Sequence, residues 1–357
     1  MQSPLFDIHT DRQLRRPVLP ILGEQKDIRY YGTRAKSVLN GTDVTQMGFW
    51  SINPYVGCAF GCAYCYARYA HRYVIERNVT AHPEQRLLRE AFETLPPWLA
   101  FERQIFVKEN AAEVLRRTLR EGSDKHLNLL KGEGIGIGTA TDPYQPAERR
   151  FRITRGILEV LAEHAGLRVW IITKSPLVTR DVDLLRRIGR NNRISVHISL
   201  ITIDRELARR LEPRAPTPDA RLRALARLRE HGIEAGINVM PVLPGITDRP
   251  QQLEPLIEAV AAAGATYLNA CALRLRSAAR QRYLPFIERE FPELASRYRT
   301  TYARSHHAGE RYREGLARYF RKTCARHGVP FGREGDDEDD EAATNAPADA
   351  QLAFEFA

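Results

Sequence analysis

Short apolar runs alternate with amphipathic stretches along most of the chain. Runs rich in β-branched residues predict strands at 49–55, 104–107, 134–140, 168–173, 193–201, 233–240 and 266–273. Between them, apolar residues recur at helical spacing over 66–77, 110–121, 151–164, 178–189, 217–231 and 250–263. Thr217 and Pro218 open one of these helices and Gly232 closes it, as capping chemistry requires. Sustained strand–helix alternation implies a parallel sheet, because parallel neighbours need a crossover. Six βα units predict an α/β fold built as a partial (β/α)6 TIM-type barrel, although a doubly wound open sheet fits the same pattern.

Strand parity adds a chemical detail. In Ser195-Val196-His197-Ile198-Ser199-Leu200 the odd positions are polar and the even ones apolar. With the apolar set toward the helices, Ser195, His197 and Ser199 face a lumen, which suggests a ligand there. Gly136 and Gly138 share one parity and would leave room for something to lie against their strand.

The ends of the chain break the rhythm. Residues 1–45 read as a basic N-terminal arm, 46–275 as the barrel core, 276–333 as a basic helical extension and 334–357 as a disordered acidic tail. The tail holds nine acidic residues and no Lys or Arg, so residues 1–333 carry about +19 against a net charge of +10. Such a body attracts polyanions, nucleic acid first among them. Only seven of 54 basic residues are Lys, so a general arginine bias contributes to that charge. No apolar run is long enough to span a membrane, and Met1–Asp7 has no secretion-signal pattern, so the expected location is the cytoplasm.

The cysteines carry the sharpest signal. Three of five fall in Gly57-Cys58-Ala59-Phe60-Gly61-Cys62-Ala63-Tyr64-Cys65-Tyr66, directly after the first strand, with the spacing C-x3-C-x2-C. Thiolates suit iron of a cluster, and three of them leave one iron of a [4Fe–4S] cluster without a protein ligand. A zinc site completed by His71, or three incidental thiols, fits the residue types too.

The spacing, with Tyr64 before the third cysteine, resembles the radical S-adenosylmethionine (radical SAM) superfamily. Thr141-Asp142-Pro143-Tyr144-Gln145-Pro146-Ala147-Glu148, Thr173-Lys174-Ser175, Ser199, Glu212-Pro213-Arg214-Ala215-Pro216 and Pro241-Val242-Leu243-Pro244-Gly245 extend the likeness to its spore photoproduct lyase-like group over roughly 30–290. The resemblance implies that Cys58, Cys62 and Cys65 hold a [4Fe–4S] cluster whose open iron is chelated by S-adenosylmethionine. Reductive cleavage then gives a 5′-deoxyadenosyl radical that abstracts a substrate hydrogen. It further implies that Lys174 and Ser199 contact the cofactor's carboxylate or ribose. Thr139 or Thr141 would line the same site beside Tyr64, and Met240 would pack on the adenine. Without the resemblance, Lys174 is a surface cation, Ser199 a hydrogen-bonded filler and Met240 a core residue.

One departure narrows the chemistry. Spore photoproduct lyase has a hydrogen-donating cysteine just before the Thr-Asp stretch, where this chain has Gly138-Thr139-Ala140. Cys271, on the last predicted strand, is then a substitute donor or a buried structural cysteine, and Cys324 is a bystander. Two remaining, separated cysteines do not supply a second cluster.

The resemblance also implies a flavodoxin- or ferredoxin-like electron donor. Arg297-Tyr298-Arg299, Tyr302, Arg304, Arg311-Tyr312-Arg313 and Arg318-Tyr319 suggest a nucleic-acid surface if the tyrosines point outward to stack on bases, and a solvated helix face if they pack inward. Gln351-Leu352-Ala353-Phe354-Glu355-Phe356 loosely resembles peptides that bind the bacterial replication clamp. A non-catalytic metal-binding module that contacts nucleic acid is the competing reading.

Overall fold

The computed structural model describes residues 21–25, 27–42, 48–71, 95–120 and 122–332. The acidic tail, its terminal peptide and the second half of the helix expected at 66–77 lie outside them. The fold is α/β with two sheets. The larger has seven strands: β3 (Leu39–Asn40), β4 (Trp50–Ile52), β7 (Gly134–Ile137), β8 (Arg168–Thr173), β9 (Arg193–Ser199), β10 (Glu234–Val242) and β11 (Leu268–Ala272). Their order is β11-β10-β9-β8-β7-β4-β3. The six strands from β4 to β11 run parallel, and β3 pairs antiparallel to β4.

The crossovers carry the helices expected from the periodicity. Ile153–Leu161, Val182–Ile188, Pro218–Glu230 and Pro250–Ala262 lie on the expected segments. Strand residues of one parity, including Ile135, Ile171, Val196, Ile198, Ile237 and Val239, are buried in the main apolar core. Each such side chain contributes about 1.5–3 kcal/mol on burial. The opposite parity sets Ser51, Gly136, Trp170 and Ser195 in one row, and His197 beside Gly236 in the next.

Two strand expectations change. The segment at 104–107 becomes β6 (Gln104–Lys108) of a separate four-stranded sheet, ordered β1-β2-β6-β5 with β1 (Ile21–Gln25), β2 (Ile28–Thr33) and β5 (Tyr55–Val56). Its β-branched pattern identifies a strand but not its partner, and its parallel neighbour is β2. Residues 21–40, assigned to the arm, contribute β1, β2 and β3, short strands that lack a long apolar run.

The space beside Gly136 is not vacant. A Cβ there would lie 3.0 Å from the Trp170 indole nitrogen, and one on Gly134 would overlap the same ring. Trp170 therefore fills the gap that the glycines create, which corrects the expectation of ligand room against that strand.

Beyond β11 come the helices Ser277–Glu290, Pro292–Thr301 and Glu310–Arg326. Tyr283, Tyr298 and Tyr302 are buried, whereas Arg297, Arg299, Arg304, Arg311, Arg313 and Arg318 are exposed. The Tyr298 hydroxyl donates to the Pro244 carbonyl (2.7 Å) and that of Tyr302 to the Leu273 carbonyl (3.1 Å). The tyrosines thus fasten the helices to the loops after β10 and β11. Of the tyrosines expected to choose between faces, Tyr298 and Tyr302 point inward, while Tyr312 and Tyr319 are half-buried.

Candidate functional site

The cysteine loop runs from β5 into a 3-10 turn at Tyr66–Tyr69. Cys58 and Cys62 are buried and Cys65 is partly so. Gly57 has φ +87°, and a Cβ on it would sit 2.8 Å from the Phe101 carbonyl oxygen, so glycine permits both the turn and its close approach.

Side chains from distant segments hold this loop. Gln145 is fully buried. Its Nε2 donates to the Gly57 carbonyl (3.1 Å), and its Oε1 accepts from the Ala59 amide (2.9 Å), bracketing Cys58. Thr141 Oγ1 also donates to the Gly57 carbonyl (2.6 Å). Arg214 Nε donates to the Ala59 carbonyl (2.6 Å). Arg68 Nη2 donates to the Cys62 carbonyl (2.7 Å) and pairs with Glu102 (2.5 Å). With backbone acceptors occupied this way, the loop holds its shape without contributions from the thiols.

The thiols repel one another when ionised. Burial pushes all three up, Cys62 to about 12, and Asp142, Cys62 and Cys65 push Cys58 further. A cation that takes up the sulfurs as thiolates displaces those protons and removes the repulsion. Among the described residues, no set of three His, Cys, Asp or Glu side chains is arranged to hold one metal ion. Cubane ligation differs, because each sulfur binds a separate iron, so the donor set fits a cluster. His71 is not a fourth ligand here. It is buried beside Phe106, with Nε2 3.3 Å from Gln104 Oε1, and burial lowers it to about 4.

A charged network lies against Cys62. The Tyr64 hydroxyl donates to Glu212, which also pairs with buried Arg221; Arg221 Nη1 donates to the Ser199 carbonyl (3.0 Å). Lys174 Nζ lies 3.9 Å from Glu212 and 5.7 Å from the Tyr64 ring centroid. Burial alone would raise the Glu212 carboxyl, but Arg221 and Lys174 hold it below its ordinary range. Burial would likewise lower Lys174, and the nearby Cys62 and Glu212 raise it instead. Lys174 and Arg221 thus share the Glu212 carboxylate beside Cys62.

The other expected residues divide into two groups. Thr139 is buried and accepts from Asn53 Nδ2 (3.1 Å), while its carbonyl accepts from the Tyr66 hydroxyl. Thr141 belongs to the loop tether. Asp142 gathers the Lys174 amide (2.7 Å), Thr173 Oγ1 (2.7 Å) and the Tyr144 amide (2.9 Å), so the motifs after β7 and β8 are one unit. Met240 lies on β10 and is half-buried rather than core. Cys271 is exposed, which removes the buried structural reading, and Cys324 is buried in Glu310–Arg326.

Several residues received no role from sequence alone: Gln145, Glu212, Arg214 and Arg221. The first three sit inside quoted motifs, which was the available signal; Arg221 looked like one more helical arginine.

Thiols, cation and polar strand ends thus meet at one edge of a parallel sheet. Over residues 52–257 the chain matches the family model described as the Radical SAM superfamily. The chain belongs to that superfamily. As a radical SAM enzyme it is 35% identical over 291 residues to the uncharacterized protein Rv2578c of Mycobacterium tuberculosis, covering 81% of this chain and 78% of that one. It is 29% identical to the uncharacterized protein MJ0683 of Methanocaldococcus jannaschii over 60% of this chain and 68% of that one. Its fold is similar to that of a spore photoproduct lyase mutant, with TM-score 0.57, 16% identity and coverage of 88% and 87%. Another spore photoproduct lyase mutant, with bound AdoMet and dinucleoside spore photoproduct, aligns at TM-score 0.51 and 16% identity over 79% of this chain and 75% of that one. Membership in a family of enzymes sets aside the non-catalytic metal-binding reading.

Proposed function

We propose that Cys58, Cys62 and Cys65 hold a [4Fe–4S] cluster and that S-adenosylmethionine binds between it and the ends of the parallel strands. The observation that best supports this is the loop tether: Gln145, Thr141, Arg214 and Arg68 fix the backbone around three clustered thiols. When bound, cluster and cofactor supply reductive carbon–sulfur cleavage and a hydrogen-abstracting radical.

The chain's own residues bind, orient and exclude water. Lys174, which shares Glu212 with Arg221, contacts the cofactor's carboxylate or ribose. Arg221, donating to the Ser199 carbonyl, sets the end of β9, where Ser199 serves the same cofactor. Thr139 and Thr141 line the cluster side, Tyr64 shields Lys174 from water, and Met240 offers a soft apolar surface to the adenine. Six parallel strands in unbroken order, with helical crossovers, support the finer reading of a partial (β/α)6 barrel with the polar parity inside.

The substrate reading is a nucleic acid, repaired or modified, supported by the exposed arginines of the C-terminal helices. Electrons come from a flavodoxin- or ferredoxin-like protein. Among the described residues no helix is long and apolar enough to cross a membrane, in keeping with the cytoplasmic reading.

Anaerobic reconstitution followed by iron, sulfide and 5′-deoxyadenosine analysis tests the proposal. About four irons per chain, with dithionite-dependent cleavage lost in Cys58→Ala, Cys62→Ala and Cys65→Ala, is the expected result. A zinc-loaded protein that never cleaves the cofactor would refute it.

A further inference from the structure

A cationic cluster borders the strand-end site without belonging to the network around Lys174. Arg274 follows β11 and bridges antiparallel to His307, and the Leu275 amide donates to the His306 carbonyl (2.8 Å). This pairing sets the segment 274–276 beside 306–307. Arg313 follows on the helix Glu310–Arg326. The 14-residue helix Ser277–Glu290 begins directly after Arg276, with no acidic residue in its first turn, so its free amides and positive dipole end face the same region.

The electrostatics are one-sided. His307 is brought down to about 4 by burial, then by Arg274, Arg313, Arg276 and His306. The charges that lower it most are those of its basic neighbours. Among the described residues neither Arg274 nor Arg313 has a carboxylate within ion-pair distance. Elsewhere in the molecule arginines find carboxylates readily, as Arg116, Arg155, Arg180, Arg205 and Arg299 do. Repulsion within a fixed backbone pairing is what an anion-binding site looks like before its ligand arrives.

The cluster also has a direction. Arg274 and Cys271 lie within electrostatic reach of Tyr66, and Arg276 within reach of Tyr69. Tyr66 donates to the Thr139 carbonyl at the strand ends. Tyr66 thus links the two, bonded to the Thr139 carbonyl and within the field of Arg274.

We infer that Arg274, Arg276, Arg313 and His307 form a subsite for a phosphate group carried by the substrate, with the reacting part held past Tyr66. A carboxylate would occupy one guanidinium fork. Two exposed guanidinium forks, Arg274 and Arg313, near a helix N-terminus match the charge and multiple oxygens of a phosphate. The assignment to a substrate rests on the reading of the strand ends as a radical SAM site; phosphate binding itself does not.

The test uses the purified full chain without added cofactor, so its outcome is independent of cluster chemistry. Thermal unfolding is followed in sodium phosphate, adenosine 5′-monophosphate and a DNA tetranucleotide, each against sodium chloride at equal ionic strength, with adenosine as a control. Wild type should gain several degrees in at least one phosphate-bearing arm and none with adenosine. Arg274→Gln/Arg313→Gln, altered only at exposed positions, should lose that gain and unfold above wild type in chloride, because the repulsion is relieved. Stabilisation by inorganic phosphate alone, by the mononucleotide, or only by the tetranucleotide distinguishes free, monoester and backbone phosphate as sources. No stabilisation of wild type in any arm, or equal stabilisation of both proteins, would overturn the subsite.

Discussion

The arginines of two regions of this molecule have opposite placements, while tyrosines such as Tyr64 and Tyr298 are buried in both. Around the cysteine loop, Arg68 and Arg221 are buried and spend their donors on carbonyls and on Glu102 and Glu212, with Tyr64 on the same carboxylate. In the C-terminal helices, arginines such as Arg297, Arg299 and Arg311 stand in solvent, while Tyr283, Tyr298 and Tyr302 form the interior. A buried arginine fixes backbone, because leaving its donors unmet is costly. An exposed one supplies charge and holds little in place. The difference lies in where acceptors are, and side-chain type alone does not reveal it.

The widest gap between the regions should appear on deleting one arginine from each. Arg221→Ala leaves Glu212 buried without its main cation and should destabilise the fold by about 3–5 kcal/mol. Arg299→Ala, which removes an exposed pair with Glu288, should cost less than about 1 kcal/mol. Urea denaturation of both variants measures the gap; equal losses would break the comparison.

Acid sharpens it next. His71 is buried and lowered to about 4 from 6.5, so the folded chain keeps it neutral while the unfolded chain protonates it. Stability due to this group is full above pH 6.5 and falls by about 1.4 kcal/mol per pH unit until pH 4, a loss of about 3 kcal/mol. His71→Phe should remove that part of the slope. His307, lowered to about 4 as well but partly exposed, should give a much smaller slope because solvent screens it.

A smaller effect isolates the loop. Gln145→Ala leaves the Ala59 amide and Gly57 carbonyl without their side-chain partner, costing about 1–3 kcal/mol. Iron retained after anaerobic reconstitution and desalting should fall, while far-UV dichroism stays that of the wild type. Full iron retention would mean that the tether does not hold the thiols.

Much of this was legible in the sequence, for specific reasons. Ile171, Val196 and Ile237 lie in runs whose apolar character declares strands, and the helices between them follow from periodicity. Partner choice is not written in a strand's own residues, which is why Gln104–Lys108 looked like part of the main series and joined β2 instead. Gly136 suggested space, and only the fold could show Trp170 in it. The thiols were evident from their spacing. Gln145 and Glu212 were visible as motif letters, but their roles depend on contacts 86 and 148 residues away in sequence.

The central claim is that the thiols carry a cluster with one iron open to S-adenosylmethionine. Electron paramagnetic resonance of the reconstituted, dithionite-reduced protein, recorded with and without the cofactor, addresses it directly. The expected result is a reduced-cluster signal that changes on adding S-adenosylmethionine and is absent from the Cys58→Ala/Cys62→Ala/Cys65→Ala protein. A cluster signal indifferent to the cofactor, or one that survives loss of the three cysteines, would contradict it.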